Sequence, residues 1–574
     1  MTRPELPATV KPREYIDPSI RGNSWKPIKS ALKRFMKEPI SSPDDLITFI
    51  KKYTELYDAV ETVTMLKSAA FFGKQDFIST MALLGQAIKV TLPAYLTRKK
   101  VFKFIHDKPA YDALPPEHAQ LKRIIEKEVS EKTSMLPIAA EYLRVLSYTR
   151  KVGGLRVNFD GKKLSLPKLR AFFYDPDRAV RERAWKLYYQ RLATQYAWCD
   201  KTFDKLLSNR SKQAKKAGFE NARDYYHHKR GRFDFTPDDC FKFHDAVEAS
   251  VLPLIKQLNA ERSDVLHLDV LRPWDKLVDL DDRVLKPYST PGELVEKMIR
   301  VYSKIKPSYG KTLQFMQDNG FIDHENRKGK VPGAMCEPLV DYQAGYITAN
   351  TVGINEDVFT LAHEGGHGMH FAACASIPIA MYHEILSFPM EVAEVGSMAM
   401  EFLALDQVGE FYPDERDVLK AKRFLLEDAT RLLPWCAIID AFQQWIYTNP
   451  GHSAGERTNQ FKALVDRFET ASGTDYTGLD IEKGALWLKQ THVFQSPFYY
   501  IEYGIAQLAA LGIYRNLRRE GRSAIDKYDA FLHAGNSRPL PELYSLAGVK
   551  FDFSKEYIAE LMDFVRQELK NTRT

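Results

Sequence analysis

The chain of 574 residues is poor in cysteine. Its five, Cys199, Cys240, Cys336, Cys374 and Cys436, are odd in number and widely spaced, and no CxxC pair occurs. That argues against a disulfide framework or a thiolate zinc site and fits a reducing compartment. Long apolar runs are also missing: no stretch of about 18 apolar residues stands out, so no membrane span is expected. The opening MTRPELPATVKPREYIDPSI has no apolar core, so no secretory leader is expected. Charge of one sign is not concentrated. The net charge is +7 with 27% charged residues, and Lys and Arg are interspersed with Asp and Glu, so a nucleic-acid partner is not expected. No fixed-period repeat or low-complexity tract occurs. Together these absences lead to a soluble protein expected in the cytoplasm. Its oligomeric state is left open.

What is present is apolar periodicity. Hydrophobic residues make up 44% of the chain, ample for a large core and for more than one domain. Leu46, Phe49, Ile50, Tyr53, Leu56, Tyr57, Val60 and Val63 recur at threes and fours, behind Ser42 as N-cap and Pro43 as first helical residue. Similar stripes recur around 117–150, 168–195, 237–260, 292–318, 416–447 and 553–570. Strand signals are few. Val157, Phe159, Leu164 and Leu166 alternate about Asp160-Gly161, which predicts a hairpin. AGYITAN, Ala344 to Asn350, reads as a strand, and 321–343 reads as loop. The expected division is an N-terminal helical domain over 1–200 and a catalytic domain over 201–574.

The chemistry concentrates in LAHEGGHGMH, Leu361 to His370. Gly365 and Gly366 each cost a helix about 1 kcal/mol relative to Ala, in the one place where HExxH occurs. On a helix His363 and His367 lie on one face, a turn apart, and both imidazoles can reach one zinc ion. Glu364 can then serve as general base toward a metal-activated water, the apparatus for amide hydrolysis. A His-Glu-His cluster in so apolar a helix is costly to bury without an ion. A catalytic zinc takes three protein ligands. The extended HExxHxxGxxH form fails, because His370 occupies its Gly position and Ala373 its third His. A carboxylate from SFPMEVAEVGSMAMEFL remains, and spacing alone does not choose among Glu391, Glu394 and Glu401.

LAHEGGHGMH followed by VAEVGSMAME resembles the M3 family of zinc metallopeptidases, and within it the oligoendopeptidase F-like branch. FYDPDRAVRERAW, LRPWD, PGAMC and HVFQSPFYYIEYGIAQLAAL agree, so the resemblance covers roughly 150–565. It implies a mainly α fold: two helical lobes around a deep substrate channel, with a small β element near the zinc helix. The family's ligating Glu carries Ser at +3 and Glu at +7, a frame that fits Glu394, Ser397 and Glu401. The resemblance therefore assigns one zinc ion to His363, His367 and Glu394, leaving Mn and Co open as substitutes. Glu401 becomes a hydrogen-bond acceptor for a ligand histidine; His370, about 10 Å along the helix from His363, is too far to share the ion and is expected to support a ligand or face the substrate. AGYITAN is expected as an edge strand on which an extended substrate pairs. Gly366 matches a family glycine that lets a neighbouring backbone pass close; Gly365 has no such counterpart. His492, Tyr500 and Tyr503 match the family's substrate-facing His and Tyr-x-x-Tyr, while Phe498 and Tyr499 read as an aromatic core stripe. The function implied is a zinc-dependent endopeptidase of short unstructured peptides. A metallocarboxypeptidase and a non-catalytic zinc-containing peptide-binding protein are the alternatives.

Overall fold

The structure, a computed structural model, describes residues 11–74, 76–131, 135–281, 284–327, 330, 333–384 and 387–572. The first ten residues, on which the reading of no leader partly rests, lie outside this set. Helix accounts for 71% and strand for 5%, so the chain is mainly α as expected. The stripe beginning at Leu46 becomes a helix over Pro43–Lys74. Its start is reciprocally capped: Asp45 N–H donates to Ser42 Oγ at 3.2 Å and Ser42 N–H to Asp45 Oδ2 at 3.0 Å.

The predicted hairpin forms. Strand β1 (Arg156–Phe159) pairs antiparallel with β2 (Lys162–Ser165). Between them Asp160 and Gly161 have φ of +47° and +75°, the two-residue turn whose twist suits the flanking strands.

The second sheet corrects two expectations. Strand β3 (Ile322–Glu325) and strand β4 (Met335–Leu339) occupy a stretch read as loop. They flank β5 (Ala344–Thr351) in the order β3-β5-β4, β3 parallel to it and β4 antiparallel. AGYITAN is therefore the central strand and has no free edge. The reason is non-local. IDHE and MCEPL show no apolar alternation, and their pairing is supplied by β5, which is buried along nearly all its length. Among the described residues, the unpaired edge beside the HExxH helix belongs to β4.

That helix, Asn355–Cys374, starts four residues after β5. Asp357 Oδ2 accepts the N–H groups of Val352, Gly353 and Ile354 at 2.9, 2.7 and 3.0 Å. One carboxylate thus satisfies the connecting turn and sits at the positive end of the helix dipole. The second helix of the site, Met390–Leu405, is buried along almost its whole length.

Apolar side chains gather in two clusters. The larger one includes Leu313, Leu361, Val395, Ile439, Trp487 and Leu508. The smaller is N-terminal, with Leu46, Phe49, Ile50, Phe102 and Leu121, and it also takes in Ile379–Tyr382 from between the two site helices. Polar bonds pin that connection to the N-terminal helices. Ala380 N–H donates to Thr54 Oγ1 at 2.8 Å, His383 Nε2 lies 2.9 Å from Asp58 Oδ1, and buried Arg98 pairs with Glu384.

One further helical stretch, Phe77–His106, contains an 18-residue window of mean hydropathy 1.3, long and apolar enough by length and composition alone to cross a membrane. Gln86 and Lys89 fall within it, so it is not an unbroken apolar run. Phe77, Ile78, Leu84, Ile88 and Leu96 are exposed on it, while Arg98 and Phe102 are buried. All five cysteines are free; four are buried and Cys336 is half-buried.

Candidate metal and catalytic centre

His363 and His367 project side by side from their helix, ring centroids 5.0 Å apart and planes nearly perpendicular at 84°. Their Nε2 atoms lie 3.4 and 3.6 Å from the same atom, Glu394 Oε2. Donors about 2.0–2.1 Å from one tetrahedral ion stand about 3.3 Å from one another, so this trio fits a single zinc with one position open. Glu401 Oε1 is 2.7 Å from His363 Nδ1, which puts that ring's proton on Nδ1 and turns Nε2 toward the ion's place. Ser397 Oγ donates to Glu394 Oε2 at 3.1 Å. Burial disfavours charge on all three donors. The histidine neighbours and Tyr499 nevertheless hold Glu394 down to about 2, and Glu394 and Glu401 raise His363 well above its ordinary range. Burial pushes His367 down to about 4. Glu391 points elsewhere, to the Arg232 guanidinium.

Both glycines of HEGGH are accounted for. A Cβ on Gly366 would stand 2.6 Å from Gly396 O and 2.7 Å from Ser397 Cα, so the two site helices touch backbone to backbone there. A Cβ on Gly365 would stand 2.3 Å from Tyr302 Oη, whose hydroxyl donates to Ala362 O at 2.8 Å. Tyr302 is fully buried. Helix propensity is given up to let a second helix and a tyrosine close on the donor-bearing turn.

Glu364 is buried beside the donors, and its Oε2 has no hydrogen-bond partner. Burial is the main cause that lifts it to about 7, opposed by His363 and helped by Glu394 and Glu401. A carboxylate with an idle oxygen and an affinity for protons near neutrality suits a general base.

An aromatic group closes the other side. Tyr499 donates its hydroxyl to Glu394 Oε1 at 2.7 Å. Its ring stacks at 5.6 Å on His492 and meets Tyr503 edge-on at 5.3 Å. His492 Nδ1 lies 2.8 Å from Gln490 Nε2, and burial takes this ring down to about 4. The Tyr500 and Tyr503 rings both meet His492 edge-on, at 5.1 and 5.9 Å; the Tyr503 hydroxyl lies near the Glu394 charge and Tyr499, and the Tyr500 hydroxyl near Trp435 and Gln490.

The family model for peptidase family M3 matches residues 171–563. The chain belongs to this family. Oligopeptidase PepF of Bacillus subtilis (strain 168) is 26% identical over 307 residues, 52% of this chain and 44% of that protein, so the alignment spans under half of that relative. An oligoendopeptidase F homolog of Borreliella burgdorferi is 23% identical over 89% of this chain and 88% of its own length. Among solved structures, a PZ peptidase A bound to an inhibitor superposes with a TM-score of 0.85 at 23% identity, covering 95% of this chain and 96% of that one. At that identity the likeness speaks for the fold.

In this M3 peptidase, the structure brings together His363, Glu364, His367, Glu394 and Glu401, with His492 and Tyr503 adjacent. Tyr500 also packs its ring against His492, with its hydroxyl near Trp435 and Gln490. His370 stands apart from the converging donors, buried against Phe388 and Phe531. Tyr499, read from the sequence as core, is the residue that reading misses. The available signal was its spacing: Tyr499 and Tyr503 are four apart and share a face as readily as Tyr500 and Tyr503.

Proposed function

We propose that this M3 peptidase is a zinc-dependent endopeptidase of short, unstructured peptides, with His363, His367 and Glu394 as ligands and Glu364 as general base. The observation that carries the reading is the convergence of two imidazole nitrogens on one carboxylate oxygen at 3.4 and 3.6 Å, with the idle buried oxygen of Glu364 beside them. A bound zinc supplies Lewis acidity, polarising a carbonyl and making water acidic enough to ionise near neutrality. Glu364 takes the proton of the attacking water and passes it to the leaving amine. Glu401 keeps the His363 ring in its ligating tautomer, and Tyr499 holds the free oxygen of Glu394. His492 and Tyr503 are the donors placed to meet negative charge on the carbonyl oxygen, a contribution of about 2.7–4 kcal/mol per donor.

Support for short substrates comes from relatives named as oligopeptidases and oligoendopeptidases. The substrate backbone is assigned to the outer edge of β4. Strand addition needs unpaired N–H and C=O groups, and Cys336 on this strand feels the Glu364 charge. A cytoplasmic location is supported by the five free thiols.

The test is mass spectrometry of products from a peptide mixture and from one peptide blocked at both ends. Cleavage at internal bonds that stops with chelator and returns with zinc is expected. Release of single C-terminal residues only would favour a carboxypeptidase, and undiminished cleavage by metal-free protein would overturn the zinc assignment.

A further inference from the structure

Two arginines from one short segment grip the turn that carries Tyr499. The helix Ala222–Lys229 ends beside Arg230, and Arg232 follows within the core. Arg232 Nε donates to Glu391 Oε1 at 2.8 Å, and its Nη2 donates to both Phe498 O and Glu502 Oε1, the latter at 2.9 Å. Arg230 donates to Pro497 O at 2.8 Å and to the same Glu502 oxygen at 3.0 Å, its guanidinium 5.3 Å from the Tyr499 ring centroid. Consecutive carbonyls, 497 and 498, are thus held by two guanidinium groups bridged through one carboxylate.

The turn needs holding. Phe498 has φ of +60°, a left-handed conformation that a bulky residue adopts only when its surroundings over-determine it. Its N–H donates to Gln443 Oε1 at 3.1 Å, and its buried ring packs 5.2 Å from that of Tyr447. The next residue, Tyr499, reaches Glu394. At the other end of the clamp, Glu391 lies one helical turn before Glu394. One guanidinium therefore joins the helix that bears the carboxylate donor to the turn that bears that carboxylate's hydrogen-bond partner.

We infer that Arg232 is a positioning residue: by clamping Glu391 and the Phe498 carbonyl together, it fixes the Tyr499 hydroxyl on Glu394 and thereby the orientation of that carboxylate. The inference rests on the reading of Glu394 as a metal ligand. Lysine does not replace it, because an ammonium has no rigid fork with which to bond two partners at fixed angles.

The experiment compares Arg232→Lys, Tyr499→Phe and the double variant. Three quantities are read: kcat and KM on a quenched peptide, the absorption spectrum of the cobalt(II)-loaded proteins, and the melting temperature. Groups that orient a metal ligand are worth about 10–100-fold. Each single variant is expected to lose about 10-fold or more in kcat with KM within about two-fold. The double variant is expected to be no worse than Tyr499→Phe alone, because the arginine acts through the tyrosine. The cobalt spectrum of Arg232→Lys should shift in the same sense as that of Tyr499→Phe. A cobalt spectrum unchanged by Arg232→Lys, or kcat losses that multiply in the double variant, would overturn the clamp. Should Arg232→Lys fail to fold, Glu391→Gln loosens the other end and carries the same expectations. Absent turnover by wild-type protein would sink the functional reading instead, while the cobalt spectra still decide the clamp.

Discussion

Glu364 is the residue on which the proposed chemistry turns. Its carboxylate is buried, lifted to about 7 mainly by burial, and idle on one oxygen. Glu364→Gln keeps the shape and removes the base. It is expected to bind zinc as wild type does and to lose about 10²–10⁴-fold in kcat; metal content and turnover of the purified variant check this, and loss of the metal would make Glu364 a ligand. The two helical tyrosines divide in the same way. Tyr503→Phe is expected to lower kcat about 10-fold, about 1.4 kcal/mol of barrier, with KM little changed. Tyr500→Phe, whose hydroxyl lies near Trp435 and Gln490, is expected to lower the melting temperature and leave kcat near wild type. The reverse pattern would exchange their roles. His363, Glu364 and His367 were legible in the sequence because five consecutive residues on one helix encode their geometry. Tyr499 was not, because its reach to Glu394 depends on the left-handed turn at Phe498, which Arg232 holds from more than two hundred residues away.

At the scale of elements, the centre is two helices in backbone contact with a sheet edge alongside. Gly366→Ala sets Cβ against Gly396 O and Ser397 Cα, and neither can swing aside as a side-chain tip would. Its gain in helix propensity, about 1 kcal/mol, is set against an overpacking cost of about 1–3 kcal/mol. The expected outcome is a net loss of stability together with weaker metal binding, because parting the helices moves Glu394 from the histidines. Gly365→Ala meets the Tyr302 ring, Oη at 2.3 Å and Cζ at 2.9 Å, instead of the glutamate helix, so it should cost stability but disturb the metal less. Equal metal affinities in the two variants would contradict this ordering. The helices were legible from their apolar period, and the β1–β2 hairpin from Asp160-Gly161. Strands β3 and β4 were not, since nothing in IDHE or MCEPL announces a strand until β5 lies between them. The role of Gly365 was equally hidden, because Tyr302 comes from another helix.

On the scale of the whole molecule, the site lies where the two apolar clusters share a connection. The histidine and glutamate helices belong to the larger cluster, but Ile379–Tyr382 between them is buried in the smaller one. An ion held by both helices therefore stabilises a junction as well as a site. Metal at 100 times its dissociation constant contributes about 2.7 kcal/mol to the folded state. Calorimetry is expected to show a lower melting temperature after chelation, restored by zinc and unaffected by calcium, which prefers six to eight oxygen ligands. An identical melting temperature with and without chelator would mean that the donors hold no ion under those conditions.

The burial of the thiols has a practical consequence. Only the thiolate reacts quickly with disulfide reagents, and burial pushes Cys199 up to about 12 and Cys336 well above the ordinary thiol range. The native protein should therefore ignore such a reagent at neutral pH, while denaturant should release five equivalents, one for each free cysteine. Labelling then times conformational opening. Cys336, on the outer strand beside Glu364, should be modified first as β4 peels from its sheet, and the four fully buried thiols should wait for global unfolding. The chain carries, in its own side chains, a clock for its unfolding.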